Sequence, residues 1–196
     1  MSIGQALHVG LIDGVPRVWI RGGYGSHRED RKHFQIRDDA MWVKVAALEA
    51  VPGEQFDDVA TWTVRFDENH APPDWWTPEC QEAAERETCA ALSVVITRGH
   101  WPGDLNLSAT ATKNLSRMKT VGGTLWAAAL KSANALVKVG GNLWADALES
   151  ANALVKVGGD LRAIALKSAP ALVKVGGNLR AEMQVPDGVV QGQIYR

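Results

Sequence analysis

The chain has 196 residues, 46% hydrophobic and 22% charged, with a net charge of −1, which is typical of a folded soluble protein. Two cysteines, no secretory-signal pattern and no apolar run long enough to cross a bilayer lead us to expect a cytoplasmic protein with no membrane partner. Residues 1–112 contain 10 basic and 17 acidic residues (net −7), whereas residues 113–196 contain 11 and 5 (net +6). This asymmetry predicts two units with different surfaces.

The first part of the chain predicts strands. The segments LHVGLI (7–12) and PRVWIR (16–21) predict a hairpin about the turn DGV. Two further segments, MWVKVAAL (41–48) and TWTVRF (61–66), have the alternating side-chain character of strands.

A helix is predicted to follow these strands. Thr77 offers a capping hydroxyl, Pro78 suits the first turn, and Glu79 lies near the positive end of the helix dipole. We expect the helix to end near Ala91, and LSVVIT (92–97) to form a strand that leads into the second unit. Residues 1–102 are thus predicted to form an acidic α+β domain that caps the second unit.

No segment of this half has a catalytic or metal-binding pattern. RGGYGSHRED (21–30) is rich in glycine, and its two interpretations are a flexible loop and a phosphate cradle. We favour the loop, because the spacing and lysine of a P-loop are absent and no helix is evident after it. The histidines and cysteines lack the spacing of zinc sites. We therefore predict no catalytic residue, no metal and no cofactor, so the protein is not expected to be an enzyme.

Residues 103–196 contain a repeat of 18 residues. The triplet VGG begins at Val121, Val139, Val157 and Val175, and columns of leucine, alanine and serine keep the same spacing. Each unit contains two alternating segments, such as VKV and NLWADAL, which predict two strands and two turns. Gly-Gly between them is expected to provide a bend through its backbone freedom. Such units stack into a short β-solenoid with coils about 4.8 Å apart.

The alternation assigns side chains to the interior or to the surface. The residues expected to point inward are Leu143, Ala145, Ala147, Val137 and Val139. Their neighbours Trp144, Asp146 and Lys138 are then expected to point outward. Inward columns hardly change between units and outward columns vary, because an interior must match the adjacent coil and a surface need not.

The repeat weakens at both ends, as terminal coils do. Residues 103–123 predict an opening coil that is about two residues longer than the others. At the other end VQGQI (190–194) partly matches VGGNL and predicts a shortened last coil.

The pattern L-x-x-V-G-G-x-L at intervals near twenty residues resembles the solenoid repeats of receptor L-domain-like and leucine-rich-repeat-like proteins of bacteria and their phages. The resemblance covers residues 103–194, about half of the chain. It implies a stacked β-solenoid and, because such families act mainly as binding surfaces, a binding role.

One outward column holds Trp126, Trp144, Arg162 and Arg180. Tryptophan and arginine are the side chains that most often carry interface energy, so this column is the predicted protein-binding site. The alternative is that the two indoles stack, with Arg162 against the second ring, and only stabilise the surface.

A second outward column holds Lys138, Lys156 and Lys174, with Arg162 and Arg180 on the other strand. These lysines are candidate electrostatic contacts to a nucleic-acid backbone. We favour the alternative that they keep the sheet soluble and block edge pairing, because acidic residues interleaved in the sequence dilute the positive charge. Those acidic residues are Asp146, Glu149, Asp160 and Glu182.

The leading hypothesis is a non-enzymatic protein that binds another protein or protein complex through the outer face of the solenoid. A narrower version is a phage-encoded inhibitor of a bacterial defence complex, such as an anti-CRISPR protein, acting in the host cytoplasm. It is motivated by the resemblance and by an acidic domain that would imitate the charge of nucleic acid. The alternative is a nucleic-acid-binding protein that uses the basic face of the solenoid.

Overall fold

A computed structural model of the protein describes residues 4–36, 44–66, 70–186 and 188–195. An antiparallel sheet with helices comes first, and a β-solenoid of about 5 turns occupies residues 100–195, which confirms the predicted fold class. None of the helices in these ranges is both long and apolar enough to cross a membrane.

The N-terminal sheet has the strand order β2-β1-β3-β4. Its strands are β1 (Gln5–Ile12), β2 (Val15–Ile20), β3 (Val45–Val51) and β4 (Thr63–Phe66). The predicted hairpin is confirmed, because Asp13 and Gly14 join β1 to β2 with φ angles of 50° and 79°. Positive φ at both turn residues gives the two-residue turn that matches the twist of the strands. Residues 41–43 of the third predicted strand lie outside the described residues.

Two helical segments interrupt the sheet. Helix α1 (His27–His33) begins within the glycine-rich segment 21–30, so the expectation of no helix there is wrong. Its N-cap is Ser26, whose side chain accepts a hydrogen bond from the Glu29 N–H at 3.4 Å. A short 3-10 helix (Val59–Thr61) precedes β4.

Helix α2 (Pro78–Arg98) packs against β1, β2 and β4. The predicted start after Thr77 is confirmed, although the Thr77 hydroxyl lies 3.7 Å from Cys80 Sγ and forms no capping bond to the backbone. The predicted end near Ala91 is wrong, and so is the strand over 92–97. Buried residues recur through this segment at helical spacing, and the helix ends only where Gly99 adopts the left-handed conformation.

The solenoid contains two parallel sheets of very short strands, which we name after the residues that they expose. The lysine sheet consists of β5 (His100–Trp101), β7 (Thr120–Val121), β9 (Lys138–Val139), β11 (Lys156–Val157) and β13 (Lys174–Val175). The tryptophan sheet consists of β6 (Leu105–Asn106), β8 (Leu125–Trp126), β10 (Leu143–Trp144), β12 (Leu161–Ala163), β14 (Leu179–Ala181) and β15 (Ile194–Tyr195). Paired strands join equivalent residues of successive units, which confirms the predicted register.

Each coil has a third side that the sequence predicted as a turn. Isolated parallel bridges join successive coils there, at Asn114, Ser132, Ser150 and Ser168. At the C-terminal end Val190 bridges Val175, and β15 pairs with β14. These pairings confirm the shortened last coil.

The solenoid interior is filled by columns of aliphatic residues. The fully buried residues of one coil are Val139, Leu143, Ala145, Leu148, Ala151 and Leu154. Two of the predicted inward residues are not among them, because strands of two residues are too short to sustain an alternation. Ala147 lies in a turn and is only partly buried, and Val137, which precedes its strand, is 37% exposed.

The Gly-Gly pairs form the predicted bends, but glycine is required there for a reason other than backbone freedom. None of the VGG glycines has a positive φ angle. A Cβ on Gly140 would lie 1.9 Å from the carbonyl oxygen of Gly122, and a Cβ on Gly158 would lie equally close to that of Gly140. Glycine is therefore required by the close approach of neighbouring coils.

A ladder of polar side chains, which the sequence analysis did not foresee, follows these glycines. Oδ1 of Asn142 accepts a hydrogen bond from the Asp160 N–H at 2.8 Å, and Oδ1 of Asp160 accepts one from the Asn178 N–H at 2.7 Å. Asp104 and Thr124 extend this Asn/Asp ladder to the first coils. Each step satisfies a backbone donor of the next coil with a side chain of the previous one.

The N-terminal region lies against the first coil. Gln55 forms a parallel bridge to Asn114, and the Asp57 carboxylate accepts hydrogen bonds from the backbone of Ser116 and Arg117. Phe56 is fully buried, with its ring centroid 5.9 Å from that of Trp101 in β5. A continuous cluster of buried residues runs from the N-terminal sheet to the last coil.

Candidate binding surfaces

The tryptophan sheet brings together the four residues of the predicted protein-binding column. Trp126 pairs in register with Trp144, Trp144 with Arg162, and Arg162 with Arg180. The column continues to Asn106 at one end and to Tyr195 at the other. Neither end residue was predicted from the sequence, because the repeat has decayed where they lie.

The two indoles meet edge to face. Their ring centroids are 5.6 Å apart and their planes are inclined by 77°. Trp144 is 41% exposed and Trp126 is half-buried. The parallel stack considered from the sequence is therefore replaced by a T-shaped pair, an arrangement that aromatic rings favour.

Arg162 pairs with a carboxylate, not with an indole as considered from the sequence. Its Nε and Nη2 atoms donate hydrogen bonds to Asp146 Oδ1 and Oδ2 at 2.9 and 2.8 Å. Hydrogen bonding to Asp146 raises the pKa of the Arg162 guanidinium above its ordinary value. This bidentate geometry fixes the guanidinium beside the tryptophan pair.

An open depression of about 470 Å³ lies over this part of the tryptophan sheet. Its lining includes Trp126, Trp144, Asp160, Arg162 and Arg180. Apolar ring surface and fixed polar groups therefore meet in one concave site, as they do in sites that recognise a partner side chain.

The lysine sheet aligns Lys138, Lys156 and Lys174 in direct register, and all three are exposed. A column of exposed valines, Val137, Val155 and Val173, runs beside them. The acidic residues that are interleaved with the lysines in the sequence lie elsewhere in space. None of them forms an ion pair with these three lysines within the described residues.

The positions of these acidic residues show the separation. Asp146 lies two residues after the end of the tryptophan-sheet strand β10, and Glu182 directly follows β14. Asp160 belongs to the Asn/Asp ladder. Glu149 lies next to the serine bridge of the third side.

The glycine-rich loop is anchored, not free as the sequence analysis favoured. The Gln5 amide donates to the carbonyl oxygens of Arg21 and Tyr24 at 3.2 and 2.7 Å, and its oxygen accepts from the Gly23 N–H at 2.8 Å. The loop also touches the first coil, because the Gly103 N–H donates to the carbonyl oxygen of Gly23 at 3.2 Å. Beside this contact lies a depression of about 570 Å³, whose lining includes His27 and Asp104.

Two buried titratable residues lie near this loop. Burial, together with the charges of His27 and Arg31, lowers the pKa of His8 to about 3. Burial raises the pKa of Asp30 to about 7, although Arg21 Nε lies 3.4 Å from Asp30 Oδ1. Sequence analysis did not single out either residue, because nothing in the local pattern marks an isolated buried charge.

No group of three potential metal ligands occurs in the described parts of the chain. Cys80 is buried and Cys89 is exposed, and both are free thiols.

Comparison of the chain with protein-family models, with curated proteins and with solved structures found no match in any of the three. The solenoid with its units of about 18 residues is thus established by the structure itself.

Proposed function

We propose that the protein is a non-enzymatic binding protein whose tryptophan sheet contacts another protein. The observation that carries this proposal is the edge-to-face pair of the half-buried Trp126 and the exposed Trp144 in a concave part of the sheet. A partner that covers the pair removes indole surface from water, and large aromatic side chains dominate interface energies.

The arginines add oriented hydrogen-bond donors to this surface. Arg162 is already held by Asp146, so little side-chain freedom is lost when a partner binds beside it. Arg180 is exposed and forms no ion pair within the described residues. It is therefore available to a carboxylate or a carbonyl group of the partner.

The resemblance of the repeat to leucine-rich-repeat-like binding proteins supports the same role. The narrower hypothesis, inhibition of a bacterial defence complex by a phage-encoded protein, stays a prediction from the sequence. It adds the expectation that the partner is a component of such a complex.

The test begins with capture of partners from a lysate of the organism in which the protein functions, using the tagged full-length chain. The purified partner is then titrated by calorimetry against the parent protein and a Trp126→Ala/Trp144→Ala variant. We expect the double variant to lose at least about 2 kcal/mol of binding free energy, the scale of interface hot spots. Lys131→Ala/Lys167→Ala is the control, because it changes two exposed residues of the third side, away from both sheets.

Thermal melting separates binding from stability. The edge-to-face contact contributes about 0.5–1.5 kcal/mol beyond the area that the rings bury, and only Trp126 is half-buried. We therefore expect a fall in melting temperature of only a few degrees. A partner that binds the double variant as tightly as the parent would contradict the proposal, and a large fall in melting temperature with intact binding would make the pair structural.

A further inference from the structure

We propose that the lysine sheet is a second binding surface, which binds the phosphate backbone of double-stranded nucleic acid without reading its sequence. This inference is independent of the tryptophan sheet and rests on the spatial separation of charge around the solenoid.

The lysine sheet is free of carboxylates. The residues that form or flank its strands in the repeats, 117–121, 135–139, 153–157 and 171–175, include no aspartate or glutamate. They contain Lys138, Lys156 and Lys174, and the exposed Lys119 extends the positive charge towards the first coil, whereas Arg117 lies beside the Asp57 carboxylate. Four lysines thus lie along one side of the solenoid.

These lysines are also uncompensated. None of Lys138, Lys156 and Lys174 forms an ion pair within the described residues. The third side differs, because Glu149 interrupts the column of Lys131 and Lys167 there, as successive backbone hydrogen bonds show. The tryptophan sheet differs as well, because Arg162 is neutralised by Asp146.

The geometry suits a regular polyanion. Strand pairing holds neighbouring lysines about 4.8 Å apart in one row. A DNA duplex carries one negative charge per about 1.7 Å of its axis, so each lysine of such a row has a phosphate within reach. The flexible lysine stems compensate for the different spacings.

The side chains between the lysines favour a duplex over other polyanions. Single strands are held by aromatic rings on which bases stack, and the described lysine sheet exposes no indole or phenol ring. Its exposed apolar residues are valines, whereas interfacial membrane binding relies on Trp, Phe and Leu. The lysine sheet therefore offers charge without stacking or membrane-inserting groups, which suits the phosphate backbone of a duplex.

The test measures the fluorescence anisotropy of a labelled DNA duplex of about 20 bp with the full-length protein, at about 50 and 200 mM salt. Two variants with equal changes of net charge are compared. Lys138→Gln/Lys156→Gln/Lys174→Gln removes the lysine column, and Lys113→Gln/Lys131→Gln/Lys167→Gln removes three exposed lysines of the third side.

We expect the lysine-column variant to lose at least about tenfold in affinity, and its slope of log K against log salt to shrink by about 0.9 for each lost phosphate contact. The third-side variant should stay within about twofold of the parent, because only long-range charge changes. Should the triple variant fail to fold, Lys156→Gln alone is expected to reduce the slope by about 0.9.

Four results would overturn the proposal. They are no binding of the duplex at the lower salt concentration, an equal loss in both triple variants, tighter binding of a single strand of the same length, and column-dependent binding to phosphatidylserine vesicles in place of the duplex. The last result would assign the same cations to a lipid surface.

Discussion

The solenoid and the N-terminal region bury different kinds of side chain. From Val121 to Ala181 the buried residues are all apolar and recur in columns. The N-terminal region buries Gln5, His8, Asp30 and Glu49, each in surroundings of its own. In a repeated core, one apolar packing arrangement is used in every coil. In a core without repeats, each buried polar group needs hydrogen-bond partners of its own.

The largest expected effect is in the repeated core. Leu143→Asp places an unpaired carboxylate between two coils, so we expect a loss of more than about 4 kcal/mol in the free energy of unfolding, or no folded protein. Trp144→Asp is the matched control, because the adjacent side chain points outward. Urea denaturation followed by circular dichroism measures both. Equal stabilities of the two variants would contradict the assignment of interior and surface.

The second prediction concerns the junction of the two regions. Phe56 is fully buried against Trp62 and Trp101, so Phe56→Ala should cost about 3–5 kcal/mol. Because the buried cluster is continuous, tryptophan fluorescence and far-ultraviolet circular dichroism should report one shared transition. If unfolding showed two transitions and Phe56→Ala shifted only one of them, the two regions would unfold separately.

The third prediction compares glycines of the two regions. Gly140→Ala brings a methyl group against the backbone of the preceding coil and should cost about 3 kcal/mol, at the upper end of ordinary overpacking. Gly14→Asn in the N-terminal hairpin is the control. Its surroundings are open and asparagine tolerates positive φ, so we expect a loss of about 0.5 kcal/mol. Similar losses in thermal unfolding would contradict the steric explanation.

The fourth prediction is a pH dependence that originates in the N-terminal region. The pKa of Asp30 is raised in the folded protein, so this residue lowers stability as pH rises from about 4 to 7. The pKa of His8 is lowered, so this residue raises stability from about pH 3 to 6.5. The two contributions oppose each other between about pH 4 and 6.5.

Asp30→Asn removes the contribution that lowers stability as pH rises and leaves that of His8. The free energy of unfolding should then increase with pH from about 4.5 to 6.5, by up to about 1.4 kcal/mol per pH unit more than in the parent protein. Urea denaturation at several pH values gives the slopes. Asp58→Asn is the control, because this exposed residue caps the 3-10 helix and asparagine keeps the oxygen that accepts the Ala60 N–H. Equal slopes for Asp30→Asn and the parent protein would show that the raised pKa of Asp30 does not contribute to the pH dependence of stability.

The smallest effect is expected in the Asn/Asp ladder. Asn142→Ala removes the acceptor of the Asp160 N–H and should cost about 1 kcal/mol, the net value of one hydrogen bond. Asn114→Ala, at an exposed asparagine of the third side, should be neutral. A loss at Asn142 no larger than at Asn114 would mean that water replaces the side chain.

The repeat made the solenoid predictable, because its 18-residue spacing fixes which residues pair. Within a coil, short strands defeat the rule of alternation, and Val137 and Ala147 were misassigned for that reason. The end of helix α2 was missed because LSVVIT, rich in β-branched residues, also fits a strand.

The candidate surfaces were predictable only in part. Columns follow from the spacing, so Trp126, Trp144 and the arginines were found together. The separation of acidic and basic residues was not, because residues close in sequence point to different sides of a coil. The pairing of Arg162 with Asp146 depends on side-chain conformations, which no spacing specifies.

The Asn/Asp ladder has a consequence for how the gene can change. Each step joins a side chain of one unit to the backbone of the next, with the same atoms wherever Asn142 or Asp160 occurs. Loss of residues 140–157 would join Val139 to Gly158 and restore the motif LVKVGG unaltered. Recombination between repeats would therefore lengthen or shorten the solenoid by one coil, about 4.8 Å, with the same kinds of buried contact. Outward pairs, such as Arg162 with Asp146, would change. A single such event would add or remove a whole coil together with its outward tryptophan or arginine, and so would change the composition of the outward column by one residue.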